Sequence, residues 1–257
     1  MSMVCAPAVR PTLRELDEAG VNAWPSLEQV IVDGWLLRSA VGYTRRSNSV
    51  QPLYEGSRSL YAKILTAERW YRERHLPAMF RVTVESRPDG LDGVLADRGY
   101  TREAPTSVQW LPLAEAYGSS TECDVWTDAE TDWFNAHVQI QGMDAGSATI
   151  LRRLLNIGGR GRTFGLVCDD AGEPASVGMA VREGSLVGLF GLGTAPEKRG
   201  RGFGTRLIAG LLESARAAGA EQAYLQVGLS NDPALSLYAG LGFREVYRYW
   251  YRRACSP

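Results

Sequence analysis

Two stretches of the chain carry the same short pattern, 143 residues apart, and this repeat limits the fold more than any other feature. Leu95-Ala-Asp-Arg-Gly-Tyr-Thr-Arg-Glu103 and Tyr238-Ala-Gly-Leu-Gly-Phe-Arg-Glu245 each run from an apolar helix end, through a glycine and an aromatic residue, into a charged strand start. Setting Gly99 on Gly242 fixes the offset, and it holds without gaps far upstream. Val82 and Val84 then fall on Leu225 and Val227, which keeps the two-residue parity of a strand. Residues 62–75 fall on 205–218, both helical in pattern. A period this long is not that of a solenoid. It reads as a duplicated domain. Residues 111–121 turn small and polar after Pro112 and read as the connection. The expected division is 1–112, a linker at 113–121, and 122–257. At 257 residues the chain is long enough for two such units.

Composition narrows the function classes. Lys+Arg total 28 and Asp+Glu 29, for a formal net charge of -1, and hydrophobic residues make up 45%. That balance excludes a disordered chain and a polybasic nucleic-acid binder. The lysines are Lys63 and Lys198 alone, so arginine abundance is a compositional bias and counts as a phosphate signal only where it is local. Cys5, Cys123, Cys168 and Cys255 are widely spaced, and His75 and His137 are the two histidines. No metal-ligand spacing results, and neither a zinc site nor a disulfide scaffold is expected. Residues 1–13 lack the apolar stretch of a signal peptide, and the weakly polar run 186–196 is too short to span a bilayer. A cytoplasmic protein with no membrane partner is expected.

The second half has the clearer pattern. Residues 124–141 and 147–156 read as helices. Residues 163–168, 175–182 and 185–194 read as strands, with turns at 169–174 and 183–184. Residues 204–218 form an amphipathic helix with Leu207, Ile208, Leu211, Leu212 and Ala215 on one side, closed by Gly219. A strand at 224–229, a short helix at 233–240 and an aromatic strand at 245–252 follow. The expected class is α/β, a mixed sheet flanked by helices.

Between the third strand and the amphipathic helix lies Pro196-Glu-Lys-Arg-Gly-Arg-Gly-Phe-Gly-Thr205. Gly200, Gly202 and Gly204 permit close backbone approach, and a helix start directs free N–H groups and a positive dipole at an anion. Lys198, Arg199 and Arg201 add charge. The stretch reads as a pyrophosphate cradle or, on its glycines alone, as an unliganded connection. It has no Gly-Lys-Ser/Thr, and Thr205 stands where a dinucleotide loop needs its third glycine.

Arg199-x-x-Gly202-x-Gly204 resembles the acetyl-CoA signature of the GNAT superfamily of N-acetyltransferases. Asn231-x-x-Ala234-x-x-Leu237-Tyr238, followed by Leu241-Gly242-Phe243, resembles its second motif. The close resemblance covers residues 163–252, and the duplication extends it to a tandem, two-domain protein of this type. The resemblance implies that Leu192, Gly193 and Thr194 pair with the pantetheine arm like an added strand. It further implies that Arg199, Gly200, Arg201, Gly202, Phe203, Gly204 and Thr205 wrap the pyrophosphate, and that Asn231 hydrogen-bonds the cofactor. The sheet is expected to splay after Thr194. Backbone N–H groups near 192–194 are placed to stabilise the oxyanion, and Tyr238 to protonate the leaving sulfur as general acid. Where some members carry a Glu base five residues before the Asn, this chain has Gln226. Glu130, Asp132 and Asp144 are the other acids of that half considered for the task.

The offset also tests the first half. Gly202 and Gly204 correspond to Ser59 and Tyr61, Asn231 to Pro88, and Tyr238 to Leu95. Every chemical position is lost while the pattern of elements survives, so the first half reads as a degenerate copy. Its apparent hairpin, 32–50, carries Trp35, Tyr43, Arg45, Arg46 and Asn48, and either faces water or helps to recognise an acceptor. The aromatic run Tyr247, Tyr249, Trp250 and Tyr251 reads as sheet packing. The function expected is acetyl transfer from acetyl-CoA, with no metal, to a small-molecule primary amine. The alternatives are a protein or peptide acceptor, and a non-catalytic acetyl-CoA sensor.

Overall fold

The structure is a computed structural model of the chain and describes residues 9–116, 124–126, 130–157 and 161–255. The first helix, α1 (Leu13–Ala23), opens on a capping box. Thr12 Oγ1 accepts the Glu15 N–H at 3.2 Å, and the Glu15 carboxylate accepts the Thr12 N–H at 2.7 Å. Strands β1 (Glu28–Val32) and β2 (Trp35–Ser39) form a hairpin, and β3 (Gln51–Pro52) completes a three-stranded sheet. Val32 faces Trp35 across Asp33 and Gly34, whose φ values are 47° and 86°. These are the left-handed positions of a two-residue turn that favours Asp-Gly. The hairpin expected at 32–50 is therefore displaced toward the N-terminus. Residues 40–48 form a loop instead. Asn48 organises it, its Oδ1 accepting the Ala40 and Gly42 N–H groups and its Nδ2 donating to the Tyr43 and Thr44 carbonyls.

The rest of the first half is α2 (Leu60–Arg72), β4 (Met79–Val82), α3 (Leu91–Asp97) and β5 (Thr101–Pro112). The second half runs β6 (Asp124–Trp126), α4 (Glu130–Gln141), α5 (Ala145–Ile157), β7 (Arg162–Cys168), β8 (Pro174–Glu183) and β9 (Leu186–Thr194). It continues with α6 (Phe203–Ala217), β10 (Gln222–Gly228), α7 (Asp232–Gly240) and β11 (Arg244–Arg253). Residues 124–126, expected to be helical, are a strand paired with β7, Val125 opposite Gly165. The β-branched and aromatic residues there suit an open sheet edge better than a helix start. Of the expected linker, Leu113–Glu115 make a short 3-10 turn, and 117–121 lie outside the described residues.

The repeat is visible in the elements. α2 and α6 begin at 60 and 203, β4 and β10 at 79 and 222, β5 and β11 at 101 and 244. Yet the halves are not side by side. The eight-stranded sheet has the order β4-β11-β5-β10-β9-β8-β7-β6. The last strand of each half crosses to the other: β5 lies antiparallel to β10, and β11 antiparallel to β4, with β5 and β11 paired between them. The register respects the repeat. Trp110 faces Arg244, and their counterparts shifted by 143 residues, Arg253 and Thr101, also face each other. Four strands are thus related by a local two-fold, and one sheet runs through both halves.

Apolar side chains fill both faces. Leu207, Ile208, Leu211 and Leu212 of α6 pack against Val187, Leu189, Leu225 and Val227. The opposite face buries Trp133, Phe164, Met179, Phe190 and Tyr224 under α1, α4 and α5. Tyr247, Tyr249 and Tyr251 are buried there too, as sheet packing requires. Within the first half a buried ion pair joins Arg81 of β4 to Asp17 of α1 at 2.8 Å, and the Tyr247 hydroxyl of β11 ties the second half to it by bonding the same carboxylate. Burial works against the Arg81 charge, but Asp17 and the tyrosines outweigh it and hold Arg81 above its ordinary value.

Candidate active site

The sheet opens where its two central parallel strands stop pairing. β9 and β10 are in register from Leu186/Gln222 to Leu189/Leu225 and no further. Phe190 on β9 and Gln226 on β10 therefore begin an unpaired cleft. The opening comes earlier than the splay expected after Thr194. Its cause is a bulge. Between the β8–β9 pairs Val177/Gly193 and Met179/Phe190, β9 holds one residue more than β8. Gly191, at φ 59°, takes the strain of the extra residue.

Beyond the bulge the end of β9 is held on its β8 side. The Ser176 hydroxyl donates to the Gly193 carbonyl at 2.9 Å and lies 3.0 Å from the Thr194 hydroxyl. Arg199 Nε donates to the Thr194 carbonyl at 3.3 Å. The Leu192 carbonyl accepts from Gln141 Nε2 of α4 at 3.3 Å, so a ligand using that oxygen takes its second lone pair or displaces the amide.

The glycine stretch follows. Gly200 and Gly202 adopt φ of 73° and 83°, and a Cβ on either would meet nothing within 4 Å. Backbone conformation, not crowding, calls for glycine there, since an L-residue in this region costs about 1–2 kcal/mol. Gly204 is different: its Cβ would stand 3.3 Å from Thr194 Oγ1 and 3.5 Å from a Leu237 methyl. The end of β9, the start of α6 and the middle of α7 therefore converge on this one residue. Gly202 is the N-cap of α6 and gives it no side-chain cap. At the matching place in the first half, Ser59 Oγ accepts the Ala62 N–H of α2 at 3.3 Å. The start of α2 thus has a side-chain cap, and the start of α6, whose free amides make a helix N-terminus suited to an anion, has none.

Around this cradle Arg199, Gly200, Arg201, Gly202 and Thr205 are exposed, whereas the Phe203 ring is buried in the α6 core. Arg201 lies over that ring at 5.2 Å. Lys198, expected to add charge, does not face the cradle. It pairs with Asp169 at 2.8 Å and donates to the Glu173 and Pro174 carbonyls.

Asn231 caps α7, its Oδ1 accepting the Ala234 N–H at 3.3 Å, while its NH2 group makes no hydrogen bond among the described residues. Tyr238 is buried on the same helix, edge-on to Phe243 at 6.1 Å, and burial pushes its phenol up to about 12. Its hydroxyl makes no hydrogen bond within the described residues.

The far side of the cleft faces α1, the 40–48 loop and α4. Gln226 Oε1 accepts the Tyr249 hydroxyl at 2.9 Å, and its amide abuts Gly20 of α1. Trp24 stacks on Phe190 at 6.0 Å. The expected acids do not gather there. Asp144 caps α5, both oxygens engaged by Ser147, which lowers its pKa. Asp132 is exposed, and the Glu130 side chain lies outside the described residues. The titratable group at the bulge is His137, which the sequence reading passed over. It is 4% exposed, stacks on Trp133 at 4.7 Å, and would touch a Cβ on Gly191 at 3.0 Å. Burial pushes it down to about 4, against a hydrogen bond with the Gly191 backbone, and Nδ1 has no partner. A neutral imidazole, its Nδ1 unpartnered among the described residues, thus sits beside the bulge. Its spacing of four from Trp133 on one helix was the available signal. Among the described residues no group of acids, histidines and cysteines is placed to hold a metal, and no helix is long and apolar enough to cross a membrane.

The chain is similar in sequence and fold to known proteins. A family model described as probable histone acetyltransferase Rv0428c, C-terminal, matches residues 11–252. The uncharacterized N-acetyltransferase YobR of Bacillus subtilis is 29% identical over 93% of this chain and 98% of its own length. Probable histone acetyltransferase Rv0428c of Mycobacterium tuberculosis is 30% identical over 93% of this chain and 73% of its own. Among solved structures, a GCN5-related N-acetyltransferase from Kribbella flavida covers 95% of the chain and 96% of its own, with a TM-score of 0.72 at 16% identity. A tandem GNAT protein from the clavulanic acid biosynthesis pathway covers 98% and 91%, with a TM-score of 0.62 at 17% identity, so the fold is shared. On the family match and the acetyltransferase relatives together, the chain belongs to the GNAT superfamily of N-acetyltransferases, in the family of the Rv0428c C-terminal region.

Proposed function

We propose that the protein transfers the acetyl group of acetyl-CoA to the primary amine of a small molecule, at one site per chain built by residues 122–257. The observation that carries this is the convergence at Gly204: an unpaired stretch of β9, an uncapped helix start and the Tyr238 helix meet beside a parted sheet. Acetyl-CoA fits this frame and supplies an activated acyl group when bound. The α6 amides, with Arg199 and Arg201, hold its pyrophosphate. Leu192, Gly193 and Thr194 offer their backbone to the pantetheine arm, and the Asn231 NH2 group donates to it. An amine with a lysine-like pKa is neutral only on the order of 0.1% of the time at pH 7. The partly dry cleft beside His137 favours that neutral form. The nitrogen attacks the thioester carbonyl, the C–S bond breaks, Tyr238 gives its Oη proton to the departing sulfur, and the proton shed by the nitrogen passes to water, from which the phenol is restored.

In this reading residues 1–112 are the degenerate unit, which closes the acceptor side with α1 and the 40–48 loop, and 113–121 join it to the rest. The protein works in the cytoplasm without a metal. A protein acceptor is the second reading, favoured by the name of the M. tuberculosis relative. Release of CoA thiol from acetyl-CoA, followed over amines, amino acids, peptides and a histone, tests both. Turnover of small amines supports the proposal, turnover of the histone alone replaces it, and tight binding of acetyl-CoA with no turnover points to a sensor.

A further inference from the structure

On the acceptor side of the cleft stands Arg46, which makes no ion pair among the described residues. Phe190 is the first β9 residue beyond the paired register, and its ring meets Trp24 and Tyr224, each at 6.0 Å. The Arg46 guanidinium lies over both Trp24 and Phe190, at 5.5 and 5.4 Å. The side chain is half-buried. Among the described residues it makes no ion pair and no hydrogen bond, and its Nε is shielded from water without a partner. The Tyr224 hydroxyl is likewise shielded and unpartnered.

The neighbouring charged side chains each have a hydrogen-bond or ion-pair partner. Arg38 donates to the carbonyls of Val21, Trp24 and Arg46, Arg45 pairs with Glu103, and Arg81 with Asp17. Asn22 holds Glu183, and Tyr54 holds Glu18. Arg46 is therefore left, where the first half meets the cleft, with neither a carboxylate nor a carbonyl on its guanidinium among the described residues. Aromatic faces stabilise a guanidinium but cannot accept its in-plane N–H groups. Those edges match the two oxygens of a carboxylate, and the low local polarity strengthens such a bond.

We propose that Arg46 recognises a carboxylate borne by the acyl acceptor, so that the acceptor is a small amine carrying a carboxylate, a free amino acid being the simplest member. This rests on the acetyltransferase reading of the same cleft and narrows its substrate class. It also gives the first half a role in specificity.

The test uses the full chain with acetyl-CoA and pairs of amines alike except for carboxylate against carboxamide: lysine and lysinamide, phenylalanine and phenylalaninamide. The expected kcat/KM favours the carboxylate by about tenfold or more, the usual weight of a charge-assisted pair. Arg46→Gln brings that ratio close to one, and Arg46→Lys restores part of it. The wild-type ratio reads the proposal even where a variant folds poorly. A ratio near one in the wild type, a ratio unchanged in Arg46→Gln, or no turnover of any carboxylate-bearing amine overturns the assignment. Acetyl-CoA binding measured in parallel separates the two levels. Loss of binding to the wild type counts against the acyl-transfer reading, and binding with no carboxylate preference counts against Arg46 alone.

Discussion

A phenol held at about 12 by burial keeps its proton throughout the range in which an acetyltransferase works. Tyr238→Phe should therefore lower kcat by roughly 10²-fold, the scale of a lost general acid, while acetyl-CoA binds as before. A rate unchanged from pH 6 to 10 would remove Tyr238 from the chemistry. No alkaline limb of the wild-type profile below pH 10 should belong to this residue. His137 makes a prediction of the opposite kind. Its folded pKa of about 4 lies below the ordinary 6.5, so between those values the unfolded chain binds a proton that the folded chain refuses. Stability linked to this residue is full above about pH 6.5 and is lost as pH falls toward 4, by about 3 kcal/mol in all. Urea melts at pH 7 and pH 4.5 should converge by that order in His137→Gln relative to wild type, and an unaltered difference would show that burial does not hold the ring neutral. Legibility at this scale followed local spacing. Gly200, Gly202, Gly204, Asn231 and Tyr238 stand out in the sequence because each belongs to a short local pattern. His137 was missed because its meaning comes from Gly191, on a strand more than fifty residues away. Arg46 was picked out by type, and only the fold set it against Phe190.

The elements show what each junction requires. A side chain at Gly204 would fill the narrow space between Thr194 and Leu237, toward which the α6 amides open. Gly204→Val should weaken acetyl-CoA binding by at least about tenfold, read by calorimetry, since the substitution displaces the end of β9 and α7 from the cradle. Near-native binding in a folded Gly204→Val protein would mean that the cradle lies elsewhere. The helices and strands of the second half were legible because amphipathic period and turn residues agree there. Two misplacements had local causes. The Asp33-Gly34 turn was read through as strand, although that dipeptide is the stronger hairpin signal. Residues 124–126 were absorbed into the helix that follows, because a three-residue edge strand has too little length to show a period. The early parting of β9 and β10 was hidden as well: a bulge is a mismatch between two strands, and one strand's sequence does not display it.

At the scale of the molecule, the duplication was legible and the exchange of strands was not. Hydrophobic pattern says that β5 and β11 are strands, and it is silent on which partner each takes. The crossing places β5 between β10 and β11, so the sheet of the second half contains a strand from the first. Residues 122–257 expressed alone should expose the β10 edge and aggregate, and co-expression with residues 1–112 should restore solubility. A soluble, cooperatively melting 122–257 fragment would show that the shared sheet is dispensable. Under the proposed division of labour, the same exchange gives the first half a structural part: its strand and α1 complete the other. Ser59 caps the helix whose counterpart starts at Gly202, and Leu95 stands in place of Tyr238. The stoichiometry of acetyl-CoA, measured by titration calorimetry on the full chain, tests this asymmetry most directly. One molecule bound per chain is the result expected, and two per chain would contradict it.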